Sequence, residues 1–340
     1  MNKNNEFTLM SISPIDGRYS HKIDQEIKKI NSEYGLIKYR VHVEVCWFIF
    51  LLSLDPIKKK FGINKNEKAY LTKISKNFNL KDALEIKEIE KKINHDVKSV
   101  EYFLKSKFDK HKTLKNKKEL IHFCATSEDI NNISYALMYS DSRKILLKKL
   151  NEVLNILKKY EKKYANTPML SRTHGQAASP STFGKEINVF LSRLDNEIKT
   201  LKSIKVKGKW GGATGNFHTL VLIDEKKNWI NFIKGFFKFI KTPLNTLTTQ
   251  IEPHDCIAEL SHSIVRINNV LIDMNRDIWM YISNDLFKLK VIKGEVGSST
   301  MPHKVNPIDF ENSEGNLEFS NALFTFFGDN LSKSRLQRDL

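Results

Sequence analysis

Apolar residues repeat at three- and four-residue spacing over long stretches of this chain. In residues 128–165, for example, Leu146, Leu150 and Leu157 fall on one side of a helix. The same spacing runs through residues 24–54, 82–107, 182–206, 223–240, 255–288 and 307–328. Several of these segments exceed the usual helix length, and a long helix needs packing partners along its whole length. Because alternating strand patterns are scarce, the sequence predicts an all-α protein built around a bundle of long antiparallel helices.

The 340 residues are enough for two domains. A polar connection, residues 108–120, interrupts the helical pattern. We therefore expect a smaller helical N-terminal domain over residues 1–115 and the bundle of long helices over residues 116–340. A second interruption, residues 208–215, is rich in glycine. It could be a phosphate cradle, but it lacks the strand-before, helix-after context and the Lys-Ser/Thr of a P-loop, which favours a structural turn.

The chain is strongly basic, with a formal net charge of +17 and a pI of about 9.5. Its lysines are spread through almost every helix-like segment, and local runs such as residues 58–60 lack interleaved aromatic residues. This pattern favours a solvated surface over a nucleic-acid-binding face. The positive field would still attract an anionic substrate.

The sequence predicts a cytoplasmic protein with no membrane partner and no metal. The strongest apolar run, residues 45–54, is about half the length that a membrane-spanning helix needs. The N-terminus has no apolar signal core. Cys46, Cys124 and Cys256 are odd in number and far apart, so they fit neither a metal spacing nor a disulfide framework. Reduced thiols agree with a reducing compartment.

The most informative local motif is residues 297–307, Gly-Ser-Ser-Thr-Met-Pro-His-Lys-Val-Asn-Pro. The adjacent hydroxyls of Ser298 and Ser299 follow a glycine and are followed by Lys304 and Asn306. A loop of this kind can close over an anion and bring backbone N–H groups, hydroxyls and an ammonium to it. An ordinary helix entry, with Pro307 starting the next helix, is the alternative.

Two further clusters combine polar residues with helix-start signals. His174 lies in Ser-Arg-Thr-His-Gly-Gln, off any apolar stripe and ahead of a helix expected to begin at Pro180. Its imidazole suits proton transfer near neutral pH, although a lone histidine is more often structural. Thr126-Ser127-Glu128-Asp129 precedes an apolar-periodic run and predicts a helix N-terminus. A helix N-terminus also binds anions, so the structural and functional interpretations are compatible. His122, just upstream, could be buried with one backbone partner.

Three shorter motifs allow two interpretations each. Asn94-His95-Asp96 could be a surface pair on a helix or part of a site, but it offers too few ligands for a metal. Asp16-Gly17-Arg18-Tyr19 resembles a turn that presents an arginine, whose planar fork suits a phosphate. Gln250, ahead of another helix, and Arg338, near the end of the chain, could contribute to a site or lie on the surface.

Taken together and in order, these segments resemble the fumarase/aspartase superfamily over nearly the whole chain. Residues 298–312, Ser-Ser-Thr-Met-Pro-His-Lys-Val-Asn-Pro-Ile-Asp-Phe-Glu-Asn, are similar to its signature loop, and Thr-His-Gly-Gln is similar to its general-acid motif. The Met-Pro-His-Lys form differs from the Met-Pro-Gly-Lys expected of fumarases and aspartases and from the Met-Pro-Gln-Lys of argininosuccinate lyases. It favours the branch that serves bacterial purine synthesis.

This resemblance implies a fold, an assembly and a reaction. Members of that branch cleave adenylosuccinate to AMP and the succinyl-carboxamide ribotide SAICAR to AICAR, with release of fumarate and without a cofactor. They are homotetramers whose active sites combine loops from three subunits around a central bundle of long helices. Relatives continue roughly a hundred residues further, about one small domain. A C-terminal domain is therefore expected to be missing here.

The resemblance also implies roles for individual residues. Ser298 matches the catalytic base and His174 the general acid. A serine base needs a desolvated, positively biased pocket, to which Lys304 could contribute. The substrate-binding residues implied are Arg18, Tyr19, Asn94, His95, Asp96, Thr126, Ser127, Gln250, Ser299, Lys304, Val305, Asn306, Asn312 and Arg338.

Two other functions are compatible with the sequence. One is an inactive, truncated remnant of the lyase fold that acts only in assembly. The other is a basic protein that binds nucleic acid on an inherited helical scaffold.

Overall fold

The computed structural model of the chain describes residues 8–53, 55, 57–290, 300–301 and 304–336 and is dominated by helices. The longer helices are α1 (Gln25–Asn31), α2 (Glu33–Leu51), α3 (Lys65–Lys76), α4 (Leu80–Ile93), α5 (Asp96–Asp109), α6 (Ser127–Lys163), α7 (Phe183–Ser203), α8 (Trp229–Ile240), α9 (Asp255–Ser283) and α10 (Ile308–Asn330). Short helical turns cover Ser20–Lys22, Ile57–Lys60, Leu114–Leu120, Gly212–Thr214 and His218–Val221. Strands β1 (Pro168–Thr173) and β2 (Gln176–Thr182) pair in an antiparallel hairpin. The prediction of an all-α protein with long helices is confirmed.

Two of the expected helices are each divided by a capping residue. Ser32 ends α1, and its Oγ accepts a hydrogen bond from Gly35 N–H at 3.3 Å at the start of α2. Asn94 ends α4 in the left-handed conformation, with φ of 51°. Apolar spacing continues across such one- or two-residue breaks, so periodicity alone does not reveal them.

The segment before α7 is a strand where the sequence suggested a helix start. Pro180 lies in β2 opposite Leu170, and α7 begins at Phe183. Thr182 caps α7 by accepting a hydrogen bond from Lys185 N–H at 3.2 Å. A proline is tolerated in this position because both strands of a two-stranded ribbon are edge strands.

The chain forms two compact units. The first consists mainly of Met1–Ile145 and Val206–Glu252, and the second mainly of Leu146–Lys205 and Pro253–Ser334. The division at Ile145 falls within α6. The domain boundary expected at residue 115 stays a prediction.

Helix α2 forms the centre of the core of the first unit. It is buried on nearly all sides, which requires packing partners all round its axis. Trp47 on α2 lies against Trp210, with ring centroids 3.9 Å apart, and Phe236 on α8 contacts both indoles edge-on. The segment around Trp210 and helix α8 therefore complete a core begun by the N-terminal part of the chain.

In the second unit, α9 and α10 pack as an antiparallel pair with polar residues at their contact. Asn268 Nδ2 donates to Ser320 Oγ at 3.1 Å, and Asn275 Nδ2 donates to Ser313 Oγ at 2.9 Å. Both asparagines are buried. Buried amides that must meet a specific partner fix the register of the two helices.

The described residues include no helix that is long and apolar enough to cross a membrane.

Candidate active site

His174 lies at the tip of the β1–β2 hairpin. Because Thr173 pairs with Gln176, His174 and Gly175 form a two-residue turn, and both have left-handed φ values, 52° and 73°. Two left-handed residues are characteristic of a type I′ turn, where asparagine and glycine are favoured over histidine. Arg172 braces the turn by donating from Nη1 to Gly175 O at 3.2 Å. The turn holds an exposed imidazole away from the core, where it can exchange a proton with a ligand.

The Asn94–Asp96 motif lies at the N-terminus of α5. His95 is the N-cap, and its Nδ1 accepts a hydrogen bond from Lys98 N–H at 3.2 Å. Since Nδ1 accepts, a neutral ring carries its proton on Nε2 and presents a donor there. Asp96 Oδ1 accepts from Val97 N–H at 2.8 Å. The motif is therefore a helix cap that leaves a histidine, 51% exposed, free to contact a ligand.

Arg40 joins this motif to helix α6. Its Nη2 donates to Asp96 Oδ2 at 2.5 Å, and its Nε donates to Asn131 Oδ1 at 2.8 Å. The helix N-terminus predicted at Thr126 and Ser127 is confirmed, since α6 begins at Ser127. Asn131 lies one turn further along this helix. The structure thus connects two of the predicted substrate-binding segments within the first unit.

The carboxylate of Asp129 is fully buried and surrounded by donors. It accepts from the backbone N–H groups of Thr126, Gly211 and Gly212 at 2.9, 3.0 and 3.1 Å and pairs with Lys209 Nζ at 2.8 Å. Residues 208–215 are therefore a turn whose amides bind an anion of the chain itself. A side chain at Gly211 would place its Cβ 2.8 Å from the backbone of Gly215, so the close approach requires glycine.

Glu128 is a titratable residue that sequence reasoning explained only as a favourable acid in the first turn of a helix. Burial raises its pKa to about 7; Lys209 and Arg40 oppose the rise, whereas Asp129 adds to it. A carboxyl that titrates near neutral pH beside Thr126 and Ser127 is a candidate for holding or moving a proton. The rise comes from tertiary burial, for which the local sequence holds no signal.

His122 forms a buried ion pair rather than the single backbone contact that the sequence allowed. Its Nδ1 lies 2.6 Å from Oε1 of Glu44, whose side chain is fully buried. Burial alone would lower the pKa of His122, but the charge and hydrogen bond of Glu44 outweigh it and raise the pKa. The other oxygen of Glu44 has no hydrogen-bond partner among the described residues.

The other predicted site residues of the first unit lie in a turn near the N-terminus and in the segment between α8 and α9. Arg18 is exposed and Tyr19 half-buried, and Tyr19 N–H donates to Pro14 O at 2.9 Å. An open cavity of about 480 Å³ beside this turn is lined in part by Asp16, Ser20 and Lys28. Gln250 is half-buried.

The predicted site residues of the second unit surround the start of α10. Lys304, Val305 and Asn312 are exposed, and Asn306 is half-buried. Ser298, Ser299 and Arg338 lie outside the described residues. In the part of the chain that the structure describes, no group of three or more His, Cys, Asp or Glu residues could hold a metal ion.

Known proteins are similar to this chain over most of its length. A family model described as "Lyase" matches residues 17–318. Curated adenylosuccinate lyases are similar over 98% of the chain: that of Buchnera aphidicola subsp. Schizaphis graminum is 47% identical, that of Haemophilus influenzae 47% and that of Escherichia coli K12 46%. The chain spans 73% of the length of each of these relatives.

Solved structures of low sequence identity share the fold. A fumarate lyase from Mesorhizobium sp. BNC1 has a TM-score of 0.72 at 19% identity, covering 93% of this chain and 67% of its own. A 3-carboxy-cis,cis-muconate lactonizing enzyme from Pseudomonas putida has a TM-score of 0.75 at 19% identity, covering 93% of this chain and 68% of its own. The family match and the identity to the curated relatives go further than fold. The chain belongs to the lyase family of the fumarase/aspartase superfamily, in its adenylosuccinate lyase branch.

Proposed function

We propose that the chain catalyses the β-elimination of fumarate from adenylosuccinate, giving AMP, and from SAICAR, giving AICAR, as a C–N lyase of purine nucleotide biosynthesis in the cytoplasm. The observation that carries the proposal is the 46–47% identity to curated adenylosuccinate lyases over 98% of the chain. The exposed His174 at a hairpin tip and the polar N-termini of α5 and α6 support it. The two substrates share a phosphoribosyl group and a succinyl-amine, so one pocket can serve both.

In the proposed mechanism, Ser298 removes a proton from the succinyl carbon β to the leaving nitrogen. The electron pair passes into the neighbouring carboxylate and forms an aci-carboxylate that hydrogen-bond donors must stabilise. The C–N bond then breaks to give the double bond of fumarate. The departing nitrogen takes a proton from His174, acting as general acid. Removal and donation occur on opposite faces of the substrate, which explains the need for two separate segments.

The binding residues divide according to the chemistry of the substrate. Arg18 and Tyr19 hold the phosphate, and the segment from Asn94 to Asp96 contacts the nucleotide. The remaining residues bind the succinyl carboxylates, support the base or complete the pocket: Thr126, Ser127, Gln250, Ser299, Lys304, Val305, Asn306, Asn312 and Arg338. No cofactor is required by this chemistry.

We further propose a homotetramer in which each active site combines segments of three subunits. Exposed apolar residues on α10 support it: Phe319, Leu323 and Phe326 are 47%, 42% and 58% exposed and follow one helix face at four- and three-residue spacing. A contiguous apolar stripe of this kind is typical of a surface that another chain covers.

The function is tested by adding purified protein to adenylosuccinate and to SAICAR and following fumarate by ultraviolet absorbance. We expect turnover of both, and at least a roughly hundredfold loss in Ser298→Ala and His174→Ala with unchanged thermal unfolding. Exposed Lys288→Ala serves as a control that keeps the wild-type rate. A wild-type tetramer with no turnover on either substrate would instead favour the inactive remnant, and near-wild-type rates in both alanine variants would disprove the assigned roles.

A further inference from the structure

Arg40 carries a positive charge within the first unit, where only 4% of the residue is exposed. Arginine stays protonated in proteins, and a buried guanidinium is unfavourable unless its charge and its N–H groups are satisfied. Ile37 and Val41, close to it on α2, are apolar and 2% and 0% exposed, and Glu44, one turn after it, is also buried. Burial of this charge is unfavourable unless other residues accept its hydrogen bonds.

Two residues accept hydrogen bonds from Arg40, and they belong to different helices. Nη2 donates to Asp96 Oδ2 at 2.5 Å and Nε donates to Asn131 Oδ1 at 2.8 Å. Nε and Nη2 form one edge of the planar guanidinium, so a single rigid fork spans the start of α5 and the first turns of α6. The spacing between these two helix starts is therefore constrained by one guanidinium together with the Asp96 and Asn131 side chains that it bonds.

The hydrogen bond from Arg40 ties the Asp96 carboxylate to a helix that is distant in the sequence. Its other oxygen accepts from the adjacent Val97 N–H at 2.8 Å. Because this bond joins neighbouring residues, it does not fix the position of the α5 start relative to other helices. The side chain of Asp96 is 43% exposed, so it reaches from the buried guanidinium to the surface. His95, the preceding residue, depends on the same first turn of α5 for its orientation.

We propose that Arg40 is a positioning residue: by joining Asp96 to Asn131 it holds the Asn94–Asp96 segment and the Thr126–Ser127 helix start in one arrangement before a nucleotide binds. This inference rests on the proposed function of both segments in binding substrate. Arg40 acts through its two partners and is not itself a catalytic residue.

The test is a double-mutant cycle with Arg40→Lys, Asp96→Asn and the double variant. Lysine keeps the charge but replaces the planar two-nitrogen edge by one ammonium nitrogen on a flexible stem, which does not reproduce the fixed donor directions of the guanidinium. We expect KM for adenylosuccinate to rise roughly 10- to 100-fold in Arg40→Lys, with a much smaller change in kcat. Because Arg40 acts on the nucleotide segment through Asp96, the double variant should be little worse than Asp96→Asn alone. Asn131→Leu, which removes the other partner, should raise KM in the same direction.

Arg276→Lys is the matched control. Arg276 also bonds two acceptors, Glu314 at 2.7 Å and Glu318 at 2.8 Å, but its side chain is 56% exposed in the second unit. It should leave KM unchanged. Thermal unfolding of every variant separates positioning from stability, since a merely structural role of Arg40 would lower the melting temperature and leave KM of the folded fraction at the wild-type value.

Unchanged KM in Arg40→Lys, or additive effects in the double variant, would overturn the positioning role. Turnover by the wild type would leave the proposed function intact in that case. If the wild type shows no turnover, AMP binding by calorimetry replaces KM, with the same expected 10- to 100-fold weakening. Binding of AMP that is equal in wild type and Arg40→Lys overturns the positioning role alone. A wild type that neither turns over substrate nor binds AMP overturns the proposed function together with it.

Discussion

Charged side chains inside the first unit depend on partners far away in the chain. Arg40 donates to Asp96 and Asn131, and Asp129 pairs with Lys209 and accepts from the amides of Gly211 and Gly212. The pKa of Glu128 rises to about 7 through burial. The hydrogen bonds and the pKa of such a residue therefore depend on the fold around it, and substitution of a single side chain tests them.

Glu128→Gln should stabilise the folded protein at pH 8. The pKa of Glu128 is raised from 4.5 to about 7, so between these values the folded state binds more protons than the unfolded state, and stability falls as pH rises. Glutamine keeps the shape and removes the ionisation. We expect the variant to gain about 1–3 kcal/mol relative to wild type at pH 8 and little at pH 4, as measured by urea unfolding.

Glu88→Gln provides the comparison, because Glu88 lies on the exposed face of α4 and pairs with Lys91 at 2.5 Å. It should show no gain at pH 8. Equal gains at pH 4 and pH 8 in Glu128→Gln would mean that ionisation of the carboxyl is not responsible.

Residue types and spacing were enough to select His174, the Asn94–Asp96 motif and Thr126-Ser127 as candidates. The sequence did not single out Arg40 or Glu128, because nothing near position 40 in the chain shows that position 96 will lie beside it. Local chemistry is visible in a sequence, whereas pairing across 56 residues depends on the fold. The assigned roles of the site residues stay predictions.

At the scale of elements, the core of the first unit contains a contact between two tryptophan side chains from distant segments. Trp47 on α2 and Trp210, in the segment after α7, are both almost fully buried and lie against each other. Their N–H groups differ. Trp47 Nε1 donates to Phe123 O at 2.8 Å, whereas Trp210 Nε1 has no acceptor among the described residues.

Trp47→Phe should therefore destabilise the protein more than Trp210→Phe. Both substitutions remove a similar volume, but only the first leaves a carbonyl without its donor, and the second removes an unsatisfied N–H. We expect Trp47→Phe to cost about 1–3 kcal/mol more, measured as the free energy of unfolding in urea. Identical losses would show that a hydrogen bond from Trp47 contributes nothing beyond packing.

Helix positions followed well from periodicity, while breaks and the hairpin did not. Residues 128–165 and 307–328 correspond closely to α6 and α10, because an apolar face of many turns is hard to mistake. The break at Asn94 and His95 depends on one left-handed residue and one cap. The hairpin is missed because β1 and β2 are mostly exposed and have no apolar alternation to reveal them.

At the scale of the whole molecule, the helices of the second unit retain apolar surface that the unit itself does not cover. Besides the stripe on α10, Trp279 and Met280 on α9 are 40% and 52% exposed. Polar contacts such as those of Asn268 hold α9 and α10 together, so these apolar residues are available to another chain. A charged residue introduced among them is therefore expected to weaken the proposed assembly.

Phe326→Lys should reduce the proposed tetramer to a smaller species. A lysine at the centre of an apolar contact must either lose its hydration or separate the chains, and dehydrating an unpaired charge costs several kcal/mol. We expect a smaller mass by light scattering at micromolar concentration, with the helical signal retained. Leu222→Lys, at an 86% exposed position of the first unit, should leave the mass unchanged. A wild-type monomer, or a Phe326→Lys tetramer, would contradict the proposed assembly.

The indole pair at Trp47 and Trp210 also bears on protein synthesis. On the ribosome the two halves of this core emerge about 160 residues apart, an interval of roughly ten to thirty seconds at ordinary elongation rates. During that time the nascent N-terminal part holds Trp47 and Phe50 without the later aromatic side chains that pack against them in the folded protein. Native closure of this core must wait until residues 210–239 have emerged, and until then the nascent chain exposes apolar surface of the kind that chaperones bind.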